Sequence, residues 1–320
     1  MPDEPREQLS LFPRPGAPGE YGPPVTTPGP LSADSTLASA IGAFYEHMLR
    51  KGFADNTIKA FLGDLRILTK YLAPNRPIGT IGTQDLNHFL TWLVSGRGKP
   101  CSSKSYARRV TTLKVFFSWL HESGILPNDP AAPIIHQRAV SPMPEILYDN
   151  EIARLQRVTQ DMLFGPKPDA RPYVLVNLLL QTGIKKAECM AIELSHLDRS
   201  NPQAPVLHVR HPNPRMAHKE RKLALSPQWG IALQQYLQEY KPKTRLFECT
   251  ARNLEYVLED AGRRAEINKP VSFEVLRWTS AVLDYRAGMP LERLRQKLGL
   301  SKITWQEAAE RIRRLGGPTF

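Results

Sequence analysis

The chain has 320 residues, 41% of them hydrophobic, with 43 Lys and Arg against 31 Asp and Glu and a formal net charge of +12. That length suggests two domains, each large enough to bury a core, and the excess of positive charge favours a polyanionic partner, nucleic acid first. There is no apolar run of about 18 residues and no basic start followed by an apolar centre, so neither a membrane span nor a signal peptide is expected.

Cys101, Cys189 and Cys249 lie far apart and form no CxxC pair. They suggest neither a zinc site nor a disulfide framework, so no metal and no cofactor is expected. A soluble, cytoplasmic protein is expected, nucleoid-associated in a bacterium.

Residues 1–33 read as a disordered tail, rich in Pro and Gly with no period of 2 or 3.6. The tail carries a net −2, so the remainder carries +14. Helical patterning begins at Asp34. Asp34 or Ser35 can cap a first helix that places Leu37, Ile41, Phe44 and Met48 on one face, ended by Gly52. Asp55 or Asn56 can cap a second, with Ile58, Phe61, Leu65, Leu68 and Leu72 at helical spacing. Thr83 is the expected cap of a third, with Leu86, Phe89, Leu90 and Leu93. Ser102 or Ser103 starts a fourth, with Tyr106, Val110, Leu113, Phe116, Phe117 and Leu120. Residues 34–126 therefore read as a four-helix bundle.

The fourth helix also carries Lys104, Arg108, Arg109 and Lys114 beside its apolar stripe. Such a face can lie along DNA phosphates. It can equally be a solvated face, and charge alone does not choose between the two.

Five prolines punctuate 127–148, which reads as an extended linker. In 149–320, helices are expected near 150–161 and 171–182, then strands at 205–209 and 222–225 joined by the basic turn Arg215 to Arg221. Ser226-Pro227 starts a further helix. Others are expected near 251–264, 272–287, 290–298 and 304–315. The fold class is mostly α, and α+β overall.

Several landmarks resemble those of the tyrosine recombinase (phage integrase, Xer-like) family, over about residues 34–315. In the first half they are Asn56-Thr57-Ile58, Asp64-Leu65, Arg109 to Phe117 and Gly124 to Pro130, which resemble the SAM-like core-binding domain. In the second half they are Thr182-Gly183-Ile184-Lys185, Glu188, Leu194 to Asp198, Lys219-Glu220-Arg221, Leu276-Arg277-Trp278-Thr279 and Leu298-Gly299-Leu300-Ser301, which resemble the catalytic domain. The resemblance implies two domains closing around double-stranded DNA. It also implies a tyrosine that attacks a phosphodiester, two arginines and a histidine on the phosphate oxygens, a hairpin lysine that protonates the leaving oxygen, and a further histidine or tryptophan.

Position by position, most of that set is missing. The first arginine falls on Lys185, which keeps the charge but loses the planar fork. The hairpin lysine falls on or beside Met216; Arg215, one residue off, is too weak an acid, and Lys219 is a candidate if the turn is shifted. The histidine falls on Glu274, whose carboxylate repels a phosphate, and the His/Trp position on Leu300. The nucleophile falls near Ala309, and no tyrosine follows Tyr285. Arg277 stands. The expectation is a DNA-binding relative with a vestigial site at Lys185, Met216, Glu274, Arg277, Leu300 and Ala309. Its DNA contacts are expected at Lys104, Arg108, Arg109, Lys114, Lys185, Lys219, Arg221 and Arg277. Two other readings stay open: an active recombinase with a displaced or partner-supplied nucleophile, and an interaction scaffold without DNA binding. Arg277 can also be a buried ion-pair partner of Glu274 or Glu188. By resemblance, the amphipathic segment Trp305 to Leu315 can join the chain to an active recombinase or to a second copy; alternatively it packs on its own domain.

Overall fold

The computed structural model describes residues 31–98, 101–135 and 142–317, so most of the proline-rich N-terminal stretch lies outside the described residues. The chain divides into two compact units between Ser141 and Pro142.

The first unit contains α1 (Leu37–Arg50), α2 (Asp55–Leu72), α3 (Thr83–Thr91), which runs on into a π-helical stretch Trp92–Gly96, and α4 (Ser103–Glu122). Each helix turns its apolar stripe inward. Leu37, Phe44 and Met48 of α1 meet Leu65 and Leu68 of α2 and Phe116 and Phe117 of α4 in one buried cluster. Burying each of these side chains stabilises the unit by about 1.5–3 kcal/mol.

The helix starts differ from expectation in detail. Thr36, not Asp34 or Ser35, caps α1, its hydroxyl accepting the Ser39 amide at 3.2 Å. The second helix follows Ala54 with no side-chain cap, and Asp55 sits in its first turn, where a carboxylate suits the helix dipole. Gly82 precedes α3, its amide donating to Asp85 at 2.9 Å. Thr83 instead donates its hydroxyl to the Pro130 carbonyl at 2.8 Å.

That contact also corrects the expected linker. Leu126, Ala131 and Ile134 are buried in the first unit's core. Further on, Leu147 is buried in the second unit, its amide donating to the Thr279 hydroxyl at 2.9 Å. Much of 127–148 is therefore packed backbone; residues 136–141 lie outside the described residues.

The second unit is built around α6 (Ala170–Thr182). Every residue from Val174 to Leu180 is buried, which is why this stretch lacks a polar face. It packs against α5 (Asp149–Phe164), α8 (Pro227–Tyr240), α9 (Ala251–Arg264) and α10 (Phe273–Arg286). Trp229 of α8 is fully buried and donates its indole N–H to the Val174 carbonyl at 2.9 Å. The short α7 (Lys186–Met190) follows α6, and α11 (Leu291–Lys297) and α12 (Lys302–Gly316) close the unit.

The expected hairpin forms from β2 (Val206–Val209) and β3 (Arg221–Ala224), paired antiparallel with Leu207 opposite Leu223. A third strand, β1 (Leu197–Asp198), adds to β2. Two residues are too few for alternation to announce it. The intervening basic segment Pro214–Lys219 is a 3-10 helix rather than an open turn. The fold is mostly α with a small antiparallel sheet, as expected.

Candidate nucleic-acid site

The α6 helix ends at Gly183, which has φ +59°. A Cβ there would stand 3.0 Å from Leu298 Cδ2 and 3.2 Å from Ser280 Oγ, so both conformation and space require glycine. The turn delivers Lys185 to the start of α7. There the Lys185 amide donates to Glu188 at 2.9 Å, a capping arrangement that fixes the local backbone.

Beside this turn is a cavity of about 680 Å³ whose wall includes Lys185, Glu274, Arg277, Trp278, Leu300 and Thr304. The structure therefore brings together four of the six vestigial positions. Met216 and Ala309 are not on that wall. Met216 lies on the 3-10 segment, its sulfur 3.5 Å from Lys219 Nζ. Ala309 is buried, 4% exposed, on α12, which packs along α10.

Arg277 does not pair with Glu274 or Glu188. One guanidinium nitrogen donates to the Gly183 carbonyl and another to the Leu298 carbonyl at 2.7 Å. The side chain thus ties the end of α6 to the end of α11. Burial brings its pKa down to about 10, with Glu188 opposing the shift and Arg221 adding to it. Lys185 is half-buried, and its pKa is lowered first by burial and then by the charge of Arg277, with Lys219 and Arg221 adding and Glu188 opposing. Glu274 is exposed on the same wall. The Thr304 hydroxyl reaches the wall but serves the start of α12, donating to the Ser301 carbonyl at 3.2 Å.

The partner of Glu188 is Arg221, through hydrogen bonds of 3.0 and 2.9 Å. Arg221 also donates to the Lys297 carbonyl at 2.6 Å and to the Lys219 carbonyl at 3.1 Å, and its side chain is 9% exposed. Arg221 is thus held internally, its charge paired with Glu188. Nothing in the sequence distinguished it from Lys219, two residues before it.

Most cations on the basic face of α4 are also tied within the unit. Arg108 grips Asp64 with bonds of 2.8 and 2.6 Å. Arg109 is buried, 3.3 Å from the same carboxylate, and also donates to Cys101. Thr112 adds a third side chain to Asp64 at 3.1 Å. Lys114 donates to the Ala132 carbonyl at 3.0 Å. Lys104 is exposed. Of the expected contacts, Lys104, Lys185 and Lys219 are not tied to a carboxylate or carbonyl by a hydrogen bond among the described residues. Asp64, buried on an apolar helix face, was the sign that these arginines have an internal partner.

The C-terminal helix packs three of its apolar residues within its own unit. Ala308, Ala309 and Ile312 are buried, and Ile312 joins Ala281, Leu294 and Leu298 in a small separate cluster. Part of the face expected to join another copy or an active recombinase is therefore packed inside the unit, while Ile303 at the start of α12 stays 84% exposed.

A SAM-like helical bundle followed by a helical unit with a small antiparallel sheet defines an integrase-type fold. Residues 41–124 match the phage integrase N-terminal SAM-like domain family. The chain is 22% identical over 282 residues to the tyrosine recombinase XerD of Listeria innocua, covering 84% of this chain and 92% of that one. It is 27% identical over 253 residues to the tyrosine recombinase XerC of Mycobacterium leprae, covering 77% and 78%. Among solved structures, a lambda integrase dimer bound to a COC′ core site aligns with a TM-score of 0.67 at 15% identity, covering 89% of this chain and 80% of that one. The Tn1549 transposon integrase in complex with a circular intermediate DNA aligns with a TM-score of 0.63 at 17% identity, covering 88% and 99%. Over residues 41–124 the chain thus matches the integrase SAM-like domain family, and over most of its length it is similar to tyrosine recombinases. No helix among the described residues is long and apolar enough to cross a membrane.

Proposed function

We propose that this chain binds double-stranded DNA through phosphate contacts and does not cleave it, acting in recombination beside an active relative. The observation that carries this reading is Ala309. The family's nucleophile is expected to fall near this residue, which has no hydroxyl and is buried on α12. The surrounding chemistry agrees. Strand cleavage builds negative charge on a crowded phosphate and expels an alkoxide, so it needs preorganised fork donors and a general acid. Lys185 supplies charge without the fork. Met216 has no proton to give. Glu274 faces the same cavity as Lys185 and Arg277 and opposes a phosphate there. Leu300 donates nothing.

Binding needs none of these groups. Lys104, Lys185 and Lys219 supply positive charge, and the neighbours in complex with DNA share this fold. Fluorescence anisotropy on a labelled duplex tests the reading, at salt concentrations of about 50 and about 200 mM. Expected is tight binding at low salt that weakens steeply at the higher concentration. Absence of binding at low salt overturns it.

A further inference from the structure

The β3 strand is the edge of the sheet, whose order is β1-β2-β3. Between its free edge and α11 is a second cleft of about 330 Å³, separate in its lining from the cavity at Lys185. Four cations line it, namely Arg221, Lys222, Arg293 and Lys297, and no carboxylate does. Two of them are neutralised internally. Arg221 is held by Glu188, and Lys297 lies 2.5 Å from Asp284. Lys222 and Arg293 are exposed, with no ion pair among the described residues. Asp198, the acid that feels Lys222, sits two strands away and does not line the cleft.

The backbone adds donors. The Leu225 amide bonds to the Pro205 carbonyl on the β2 side at 2.8 Å. Backbone groups alternate in direction along an antiparallel strand, so those of Leu223 and the Leu225 amide face β2, and the amides of Lys222 and Ala224, with their carbonyls, face the free edge. Both residues line the cleft. Two unneutralised cations beside outward-facing amides, with no acid on the wall, make a site for a tetrahedral oxyanion.

We propose that the cleft between β3 and α11 binds a phosphate group, and that its source is the backbone of duplex DNA. The choice of source rests on the reading under Proposed function. Lys222 and Arg293 are the ion-pairing residues, and the Lys222 and Ala224 amides supply the directional bonds.

The test is the full chain and its Lys222→Ala/Arg293→Ala variant, both exposed positions, with folding checked by circular dichroism. Duplex affinity is measured across a salt series, and melting temperature with and without inorganic phosphate at constant ionic strength. Expected is a severalfold loss of affinity and a salt-dependence slope shallower by roughly 1–2. If the chain binds no DNA but phosphate raises its melting temperature and the variant abolishes that rise, the phosphate site stands, its source is a free phosphate, and the DNA-binding reading falls. If the chain binds DNA and the variant changes neither the slope nor the response to phosphate, the cleft proposal falls and the DNA-binding reading survives. If there is neither DNA binding nor a response to phosphate, both fall.

Discussion

Glu188 and Arg221 face each other across two hydrogen bonds of 2.9 and 3.0 Å, with side chains only 5% and 9% exposed. Removing one partner leaves the other buried and uncompensated. Glu188→Ala is therefore expected to destabilise the second unit by about 3 kcal/mol, measured by denaturant unfolding.

The same pair has a pH signature. Burial works against the Glu188 carboxylate, but the bonds and charge of Arg221, with the Lys185 amide, hold its pKa below the ordinary 4.5. A depressed carboxylate contributes stability that is present above its unfolded pKa and lost as pH falls through the folded value. Stability of the wild-type chain should fall below about pH 4.5 in part through this group. In Glu188→Gln that part of the acid limb should be flatter, as read from unfolding between about pH 3 and 6.

In the first unit, Asp64 gathers Arg108, Arg109 and Thr112. Asp64→Ala should cost about 3 kcal/mol, because Arg109 remains buried without its carboxylate. Lys104→Ala should leave stability within about 0.5 kcal/mol and still weaken duplex binding. A thermal melt and an anisotropy titration on each variant separate the two roles.

Lys185 is held in a place that disfavours its charge. Burial and the neighbouring Arg277, Lys219 and Arg221 lower its pKa. Lys185→Leu should raise the melting temperature slightly, on the order of 1–2 °C, while reducing DNA affinity and making the salt slope shallower by roughly 1. Lower stability with unchanged affinity would remove Lys185 from the contact set.

Restoring the missing hydroxyl alone should not restore cleavage. Ala309 is 4% exposed, so Ala309→Tyr must displace neighbours and should cost about 1–3 kcal/mol. No covalent adduct should form, because Met216, Glu274 and Leu300 still lack their chemistry. An adduct from this single change would show that the remaining groups suffice.

Much of the architecture was legible because helical periodicity is a local property. The stripe Leu37, Ile41, Phe44, Met48 and the run Val174 to Leu180, apolar except for Asn177, both read directly as core. The cavity was legible in part, since order and spacing along the chain placed Lys185, Glu274, Arg277 and Leu300 together. The role of each cation was not. Arg108, Arg221 and Arg277 were all expected to touch DNA, Arg277 with a buried ion pair as its alternative, yet each is held by a group 44, 33 or 94 residues away. Pairing over such distances leaves little trace in local pattern; for the α4 arginines the sign was an acid, Asp64, on an apolar helix face. The 127–148 stretch misled for a related reason: prolines mark irregular backbone, and irregular backbone can still be packed, as Ala131, Ile134 and Leu147 are.

The central claim is that the site binds DNA and no longer cuts it. A nicked suicide duplex, incubated with the full chain alone and with an active family member, tests both halves in one gel pair. Predicted is a retarded complex on the native gel that SDS fully dissolves, with no covalent band of this chain in either mixture. An SDS-resistant adduct carrying this chain, or no retarded complex at low salt, would contradict it.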